Sequence, residues 1–366
     1  MQESEHSNRQ SGWMTMDGTS RRSRFATALG AALAAFAGSA SADQGGVSFW
    51  LPGQFGSLAA VPGTPGFNFA TVYYHTSVGA GGDVAAAKQV EIGRLNRNVD
   101  VKVNLDLDLK ARADLLLLVP GYIFETPVFG GQLGVNMAII PGRNRATLDG
   151  QLTASVGPLT ATRQGQISDS VSGFADLFPQ ATLKWNSGVH NWMIYGMTNI
   201  PVGSYDSKRL ANLGIGHSAI DGGFGYTYFD PAKGHEFSVV AGTTYNFRNS
   251  DTDYRNGQDY HIDAAAAQFL SASFFVGAVG YYYDQFTADS GSAPFLGPVK
   301  SRVLGIGPQM GFIFPVGEMQ GFLNFKAYFE SNARDRPDGW NAWVTFAISP
   351  RAKPAAASAS PRMALK

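Results

Sequence analysis

Between Val99 and Lys110 the chain alternates without a slip: Val99, Val101, Val103, Leu105, Leu107 and Leu109 are apolar, and Asp100, Lys102, Asn104, Asp106, Asp108 and Lys110 are polar. A period of two over this length marks a β-strand with two unlike faces, because successive side chains of an extended chain point to opposite sides. On a helix the same residues would spread charge around the whole cylinder. The polar face carries five charges and must meet water. A two-layer sandwich meets that need on its outer surface. A transmembrane β-barrel meets it in a wet lumen, with the aliphatic face toward lipid. A tilted spanning strand takes about 9–11 residues, and this stretch is long enough. The barrel reading puts the odd residues on lipid and Asp100, Lys102, Asp106 and Asp108 in the lumen.

The N-terminus bears on the choice. Arg21, Arg22 and Arg24 precede an uncharged run from Phe25 to Ala42 that closes on Ala40-Ser41-Ala42 before Asp43. That order of charge, apolar run and small residues is a secretory signal peptide, so residues 1–42 are expected to be removed on export. The polar stretch ahead of Arg21 is long for such a signal, which makes Met14 or Met16 alternative starts. Adjacent Arg21-Arg22 also fits twin-arginine export, a route for folded proteins that would disfavour a barrel. After residue 42 no uncharged apolar run reaches the length of a membrane helix, so an embedded chain has only a closed barrel to satisfy its backbone.

From Gly66 onward, strand-like segments follow one another between turn residues: 67–78, 97–110, 113–125, 131–141, 145–156, 172–186, 190–201, 219–229, 235–248, 259–271, 274–287, 301–314, 319–331 and 339–349. Short and long connections alternate, as in outer-membrane barrels with short periplasmic turns and long external loops. The connection from Thr126 to Gly130 is the exception, being tight on the long side. Aromatics at segment ends, among them Tyr226, Tyr228, Phe229, Tyr281, Tyr282 and Tyr283, resemble interfacial girdles. The expected architecture is an all-β transmembrane antiparallel barrel over 67–349. It has about fourteen strands, with twelve the other count the pattern allows. Residues 350–366, rich in Pro, Ala and Ser, read as a disordered tail.

Residues 43–66 form a Gly/Pro-rich leader containing Phe49-Trp50-Leu51-Pro52-Gly53-Gln54-Phe55. Exposed aromatics on such a tail are unfavourable in water, which favours placing Phe49, Trp50 and Phe55 inside the barrel as a plug and stacking surface; a disordered leader that only carries the chain to the assembly machinery is the alternative. The other lumen candidates are Glu236, Arg248, His261, Asp263, Lys326 and Glu330, all on polar strand faces.

Composition removes several functions. The chain has 28 basic and 28 acidic residues and no cysteine. Balanced charge argues against nucleic-acid binding, and thiol chemistry is excluded. No zinc motif, nucleophile elbow or phosphate loop occurs, and the expectation is a non-enzyme without cofactor or metal. His217-Ser218 and the acidic stretch Asp251, Asp253 and Asp259 are weaker candidates for hydrolysis and for a hard cation.

Three stretches carry a family resemblance: Gly45 through Gly56; Thr252-Asp253-Tyr254 with Gly257 and His261; and Gly280-Tyr281 through Gln285 with Gly305-Ile306-Gly307-Pro308 and Gly339-Trp340. The chain resembles the meta-pathway phenol-degradation family of outer-membrane transport proteins over residues 45–349. The resemblance implies a barrel in the outer membrane of a Gram-negative bacterium and uptake of small hydrophobic or aromatic solutes. Its partners would be outer-membrane lipid, those solutes and the barrel-assembly machinery. A barrel enzyme acting on lipid and a secreted carbohydrate-binding β-sandwich are the competing readings.

Overall fold

The computed structural model describes residues 48–81, 101–156, 159–291 and 300–351. Asp100, the stretch read as a signal peptide and most of the C-terminal tail lie outside them. The strands are β1 (Gly66–Ala80), β2 (Val101–Ile123), β3 (Gln132–Ala138), β4 (Pro141–Val156), β5 (Leu159–Phe174), β6 (Phe178–Ser187), β7 (His190–Thr198), β8 (Ala219–Asp230), β9 (His235–Asn246), β10 (Tyr254–Arg255), β11 (Asp259–Ser271), β12 (Phe274–Gln285), β13 (Ser290–Gly291), β14 (Arg302–Val316), β15 (Met319–Arg334) and β16 (Asp338–Pro350). Twelve of them close a ring of antiparallel neighbours, β1-β16-β15-β14-β12-β11-β9-β8-β7-β6-β3-β2, and β2 returns to β1. Strands β4 and β5 are additional. β2 continues past the end of β1, and its residues 101–115 pair with β4, which pairs in turn with β5. A three-stranded extension therefore rises from the rim on the side of the long connections.

The barrel is apolar outside and polar inside. Phe69, Leu116, Ile194, Phe224, Phe237, Ile306, Phe325 and Phe346 are all exposed. Ser238, Thr244, Asp263, Gln309, Asn324 and Lys326 are buried. That inversion is the signature of a wall that faces lipid. The alternation of Phe237, Val239 and Ala241 with Glu236, Ser238 and Val240 on β9 maps onto it residue by residue.

Three sequence expectations change. Segments 97–110 and 113–125 are one strand, β2, because odd-numbered apolar residues run on through Leu117 with no turn residue between them. This also removes the misplaced tight connection, since residues 124–131 now fall on the short-turn side. Strand β5 was missed over residues 159–171: Thr, Gln and Ser fill one face, but Arg163, Gly165 and Asp169 interrupt the other, so the period-two contrast is weak. The face of β2 is the reverse of the expected one. Leu109, Ala113, Leu115 and Leu117 are buried on the inner side, and Asp106, Lys110, Arg112 and Asp114 are exposed on the outer side. The physical reason is that this part of β2 stands above the lipid band. Its outer face meets water there, while its inner face, with Leu148 of β4 beside Leu109, is covered by Leu210 and Leu213. Alternation locates two faces but does not say which solvent lies beyond each.

The long connections form the roof. Residues 247–258 and 286–291 are tied through β10 paired with β13. Asp289 accepts from the Tyr254 hydroxyl, from Gly257 N at 2.7 Å and from Gln285 Nε2 at 2.5 Å. Burial in this roof raises the Asp289 carboxyl above its ordinary value.

Two outcomes follow from this register and topology. Phe224→Arg, at the middle of an outward face, should lower the folded fraction, since a basic residue near the lipid midplane costs roughly 2–4 kcal/mol. Asp106→Asn, on the wet extension, should assemble like the wild type. Heat-modifiable gel migration reads both, and equal defects would refute the register. A short epitope beside Arg255 should be reachable by antibody on intact cells and one at Lys233, in a short turn, should not; the reverse labelling would invert the topology.

Candidate functional site

Residues 48–65 lie within the ring of strands, running from the loop end down to the start of β1. Their contacts reach most of the wall. Phe49 is buried against Phe178, with ring centroids 5.6 Å apart, and clusters with Met197 and Ile215. Trp50 is 1% exposed; it stacks on His261 at 4.4 Å and on Tyr283 at 6.1 Å, with its edge toward Tyr281. Phe55 packs on Tyr195 at 4.9 Å. Burying large side chains of this kind is worth roughly 1.5–3 kcal/mol each. Tyr281 and Tyr283 thus face the lumen, not the interfacial girdle to which their position near a strand end had assigned them.

Polar groups on the wall hold the leader backbone, which has no ladder of its own. Lys326 Nζ donates to Gly53 O at 2.6 Å and to Phe55 O at 3.3 Å. Asp263 accepts from Phe55 N at 3.4 Å. Glu236 accepts from Ser57 Oγ at 2.7 Å and Leu58 N at 2.9 Å, and also from the Ser238 hydroxyl. Thr227 Oγ1 accepts from Ala60 N at 3.1 Å, and Gln132 exchanges two 2.8 Å bonds with Gly63. Buried polar groups are costly unless paired, so each of these wall charges and the leader amide or carbonyl opposite it depend on one another. Gly53 has φ +87°, and a Cβ there would stand 2.7 Å from the Tyr328 ring, so only glycine allows the chain to turn against that wall.

Beside Trp50 is a buried pair, His261 Nε2 to Asp221 Oδ2 at 2.9 Å, with Thr244 Oγ1 donating to the same carboxylate oxygen at 2.7 Å. Gly242 makes room for it, since a Cβ would lie 2.0 Å from the Tyr195 hydroxyl and 2.8 Å from the His261 ring. The arrangement orients the imidazole but presents Trp50 to it, not a nucleophile. The other candidate for hydrolysis is also unsupported: His217 Nδ1 contacts the Ser218 carbonyl at 3.0 Å, not its hydroxyl.

Above the leader, between it and the inner faces of β1, β2 and β4, is a cavity of about 130 Å³. Leu51, Leu109, Leu115, Ile140, Leu210 and Leu213 give it apolar walls. Glu330 and Arg336 give it a polar edge. Glu330 Oε1 accepts from the Tyr281 hydroxyl at 2.6 Å while its Oε2 is buried without a partner, as are Nε and one terminal nitrogen of Arg336. Arg336 lies over the Tyr283 ring at 5.2 Å.

The structure thus brings together Phe49, Trp50, Phe55, Glu236, His261, Asp263 and Lys326 around the leader, with Glu330 at the cavity. It separates the others. Asp106 and Asp108 are on the outer face of the extension, where Asp108 pairs with Lys110 at 3.1 Å. Neither lines the lumen, for the reason given for β2. The Lys102 side chain lies outside the described residues. Arg248 is exposed in a loop and pairs with Asp253 at 2.5 Å, beyond the lumen, because β9 ends at Asn246. Asp259, grouped with an acidic loop by sequence, is buried on β11. Residues that sequence reasoning missed are Asp221, Tyr195, Gln309 and Arg336. Asp221 stands at the second inward position of β8, after Ala219, and was hidden by the glycines Gly222 and Gly223 that follow it on either face.

The fold is shared with known barrels. The COG4313 outer membrane channel from Pseudomonas putida F1 aligns over 82% of this chain and 100% of its own, with TM-score 0.51 and 12% identity. A Pseudomonas aeruginosa FadL homologue aligns over 85% of this chain and 94% of its own (TM-score 0.36, 11% identity). The CymD monoaromatic hydrocarbon channel aligns over 78% and 87% (TM-score 0.31, 7% identity). A comparison with curated protein sequences finds no match. At these identities the likeness to the Pseudomonas putida channel speaks to the fold, a closed outer-membrane barrel. The family is shown by sequence: the profile described as "Putative MetA-pathway of phenol degradation" matches residues 66–346, and the chain belongs to that family.

Proposed function

We propose that the protein is an outer-membrane channel for small hydrophobic or aromatic solutes, kept narrow by its own leader. The observation that carries this reading is the cavity between leader and wall. Its volume, about 130 Å³, is close to that of an engineered apolar cavity of about 150 Å³ that stays dry and binds benzene. A single ring fits. Apolar walls with a few converging polar groups are the usual composition of a small-molecule site. Glu330 Oε2 accepts and Arg336 donates, so a ring hydroxyl, which does both, satisfies the edge that the protein leaves unpaired. The family description and the neighbouring channels' names are consistent with solutes of this kind.

In this reading the leader is the selectivity element. Trp50 and Phe55 occupy the cross-section, held by the hydrogen bonds that Lys326 donates to the leader and that Asp263 and Glu236 accept from it. A solute passes by exchanging with leader aromatics for contacts with the same wall. The barrel-assembly machinery and outer-membrane lipid would be its partners in biogenesis and residence.

Deleting residues 45–56 with the export signal retained should give a heat-modifiable barrel with higher single-channel conductance. It should also discriminate less between a monocyclic aromatic and an aliphatic solute of equal size. Unchanged conductance and unchanged discrimination would refute the gating role. Leu115→Trp, which fills the cavity from β2 without touching the leader's anchors, should lower uptake of monocyclic aromatics while leaving assembly intact. Radiolabelled uptake by intact cells measures it, and undiminished uptake would separate the cavity from the pathway.

A further inference from the structure

Outside the lumen, one group of charges forms no ion pair among the described residues. Arg112 on β2 and Arg143 and Arg145 on β4 are exposed on the outer face, while the alternating residues Ala113, Asn144 and Ala146 are buried behind them. In the ladder Arg112 stands directly opposite Arg145, and Arg143 opposite Asp114. Like charges directly opposite destabilise a strand pair. Asp114 attracts Arg143 across the ladder without forming an ion pair, its Oδ1 taking the Tyr73 hydroxyl at 2.6 Å and His75 Nδ1 at 2.7 Å, and among the described residues the Arg112–Arg145 pair is left without a counter-ion. Lys110, further along, is held by Asp108 at 3.1 Å and Asp149 at 3.9 Å. Among the described residues, none of the three arginines has an ion pair or a side-chain hydrogen bond.

Two further observations define the surroundings. In register with Arg145 and Arg143 on β5 are Ser170 and Ser172, both exposed on the same outer face, so guanidinium groups and hydroxyls share one patch. The depth is also specific. One outward step below the row of Arg143 and Ser172, two residues or about 6.8 Å along the strands, stand the exposed side chains Leu116 and Phe174, with Tyr73 beside Leu116. The patch therefore begins where the lipid-facing band ends. It lies at the end of the long connections, which in outer-membrane barrels is the external side.

We propose that Arg112, Arg143 and Arg145, with Ser170 and Ser172, bind a phosphate group of a phosphorylated glycolipid in the outer leaflet. Guanidinium groups match phosphate oxygens in bidentate geometry, and they are more weakly hydrated than ammonium groups. An anion between Arg112 and Arg145 removes their repulsion, and the glycolipid's acyl chains continue down over Leu116 and Phe174. The assignment rests on the outer-membrane reading.

The test uses full-length protein extracted in mild detergent, with a bisphosphorylated acylated disaccharide and its enzymatically dephosphorylated form as probes. Native mass spectrometry of the wild type should show bound bisphosphorylated glycolipid, with affinity at least about tenfold lower for the dephosphorylated form, the size expected for losing charge-assisted hydrogen bonds. R112Q/R143Q/R145Q should lose the same preference while keeping heat-modifiable migration. Equal binding of the two glycolipids by the wild type would overturn the proposal, and so would an undiminished preference in the folded triple variant. Should the triple variant not fold, the wild-type comparison of the two probes decides alone. Failure of the outer-membrane reading itself would look different: the wild type would be soluble without detergent and show no heat-modifiable migration.

Discussion

Inside a bilayer no water is available to a backbone N–H or C=O, so a spanning sheet cannot have an edge. Here the constraint is met by the pairing of β1 with both β16 and β2, the first strand accepting the last and its own successor. Everything else in the molecule follows from that closure. A ring of twelve strands encloses a space too wide for wall side chains alone to fill, and the chain supplies residues 48–65 to occupy it. The apolar surface that a soluble protein would bury is turned outward, and the core of the barrel becomes a polar compartment.

That polar compartment explains why charged residues can be buried and still useful. Lys326, Asp263 and Glu236 would each be expensive inside the barrel without a counterpart. Their partners are mostly not other charges but the amides and carbonyls of the leader, which lacks strand neighbours of its own. A buried group anchored on a backbone carbonyl or N–H specifies position along the leader, not merely its presence. Such an interaction is also reversible, since water or a polar solute can replace either half. The wall and the leader are consequently matched surfaces, and the aromatic stack of Trp50 on His261 and Tyr283 fixes their relative rotation.

Above the lipid band the same sheet obeys different rules. β2, β4 and β5 continue into water, where their outer faces carry Lys110, Arg112 and Arg145 and their inner faces carry Leu109, Leu115 and Leu148. The inner faces pack against Leu210 and Leu213 from the connection between β7 and β8 and roof the cavity. One strand thus serves as membrane wall at Leu116–Leu118 and as the shell of a small apolar chamber a few residues earlier. The change of environment along its length, not a change of pattern, makes the difference.

The sequence by itself determined the fold class, the two-faced strands, the parity of short and long connections and the internal fate of Phe49, Trp50 and Phe55. These depend on local rules: period two, turn residues, and the cost of leaving aromatics in water. It also named Glu236, His261, Asp263 and Lys326, because each lies on the polar side of an alternating strand. The tertiary structure alone decided the closure at twelve strands, since β3 with β4 and β5 with β6 each bend through two or three residues that sequence cannot tell from a turn. It alone reversed the faces of β2, because Asp106 and Asp108 alternate with leucines in the same way whether water lies inside the sheet or outside it. And it alone joined Glu330 to Arg336 around one cavity and set Arg112 against Arg145 across one ladder, since the register between strands is a long-range property that no stretch of either strand contains.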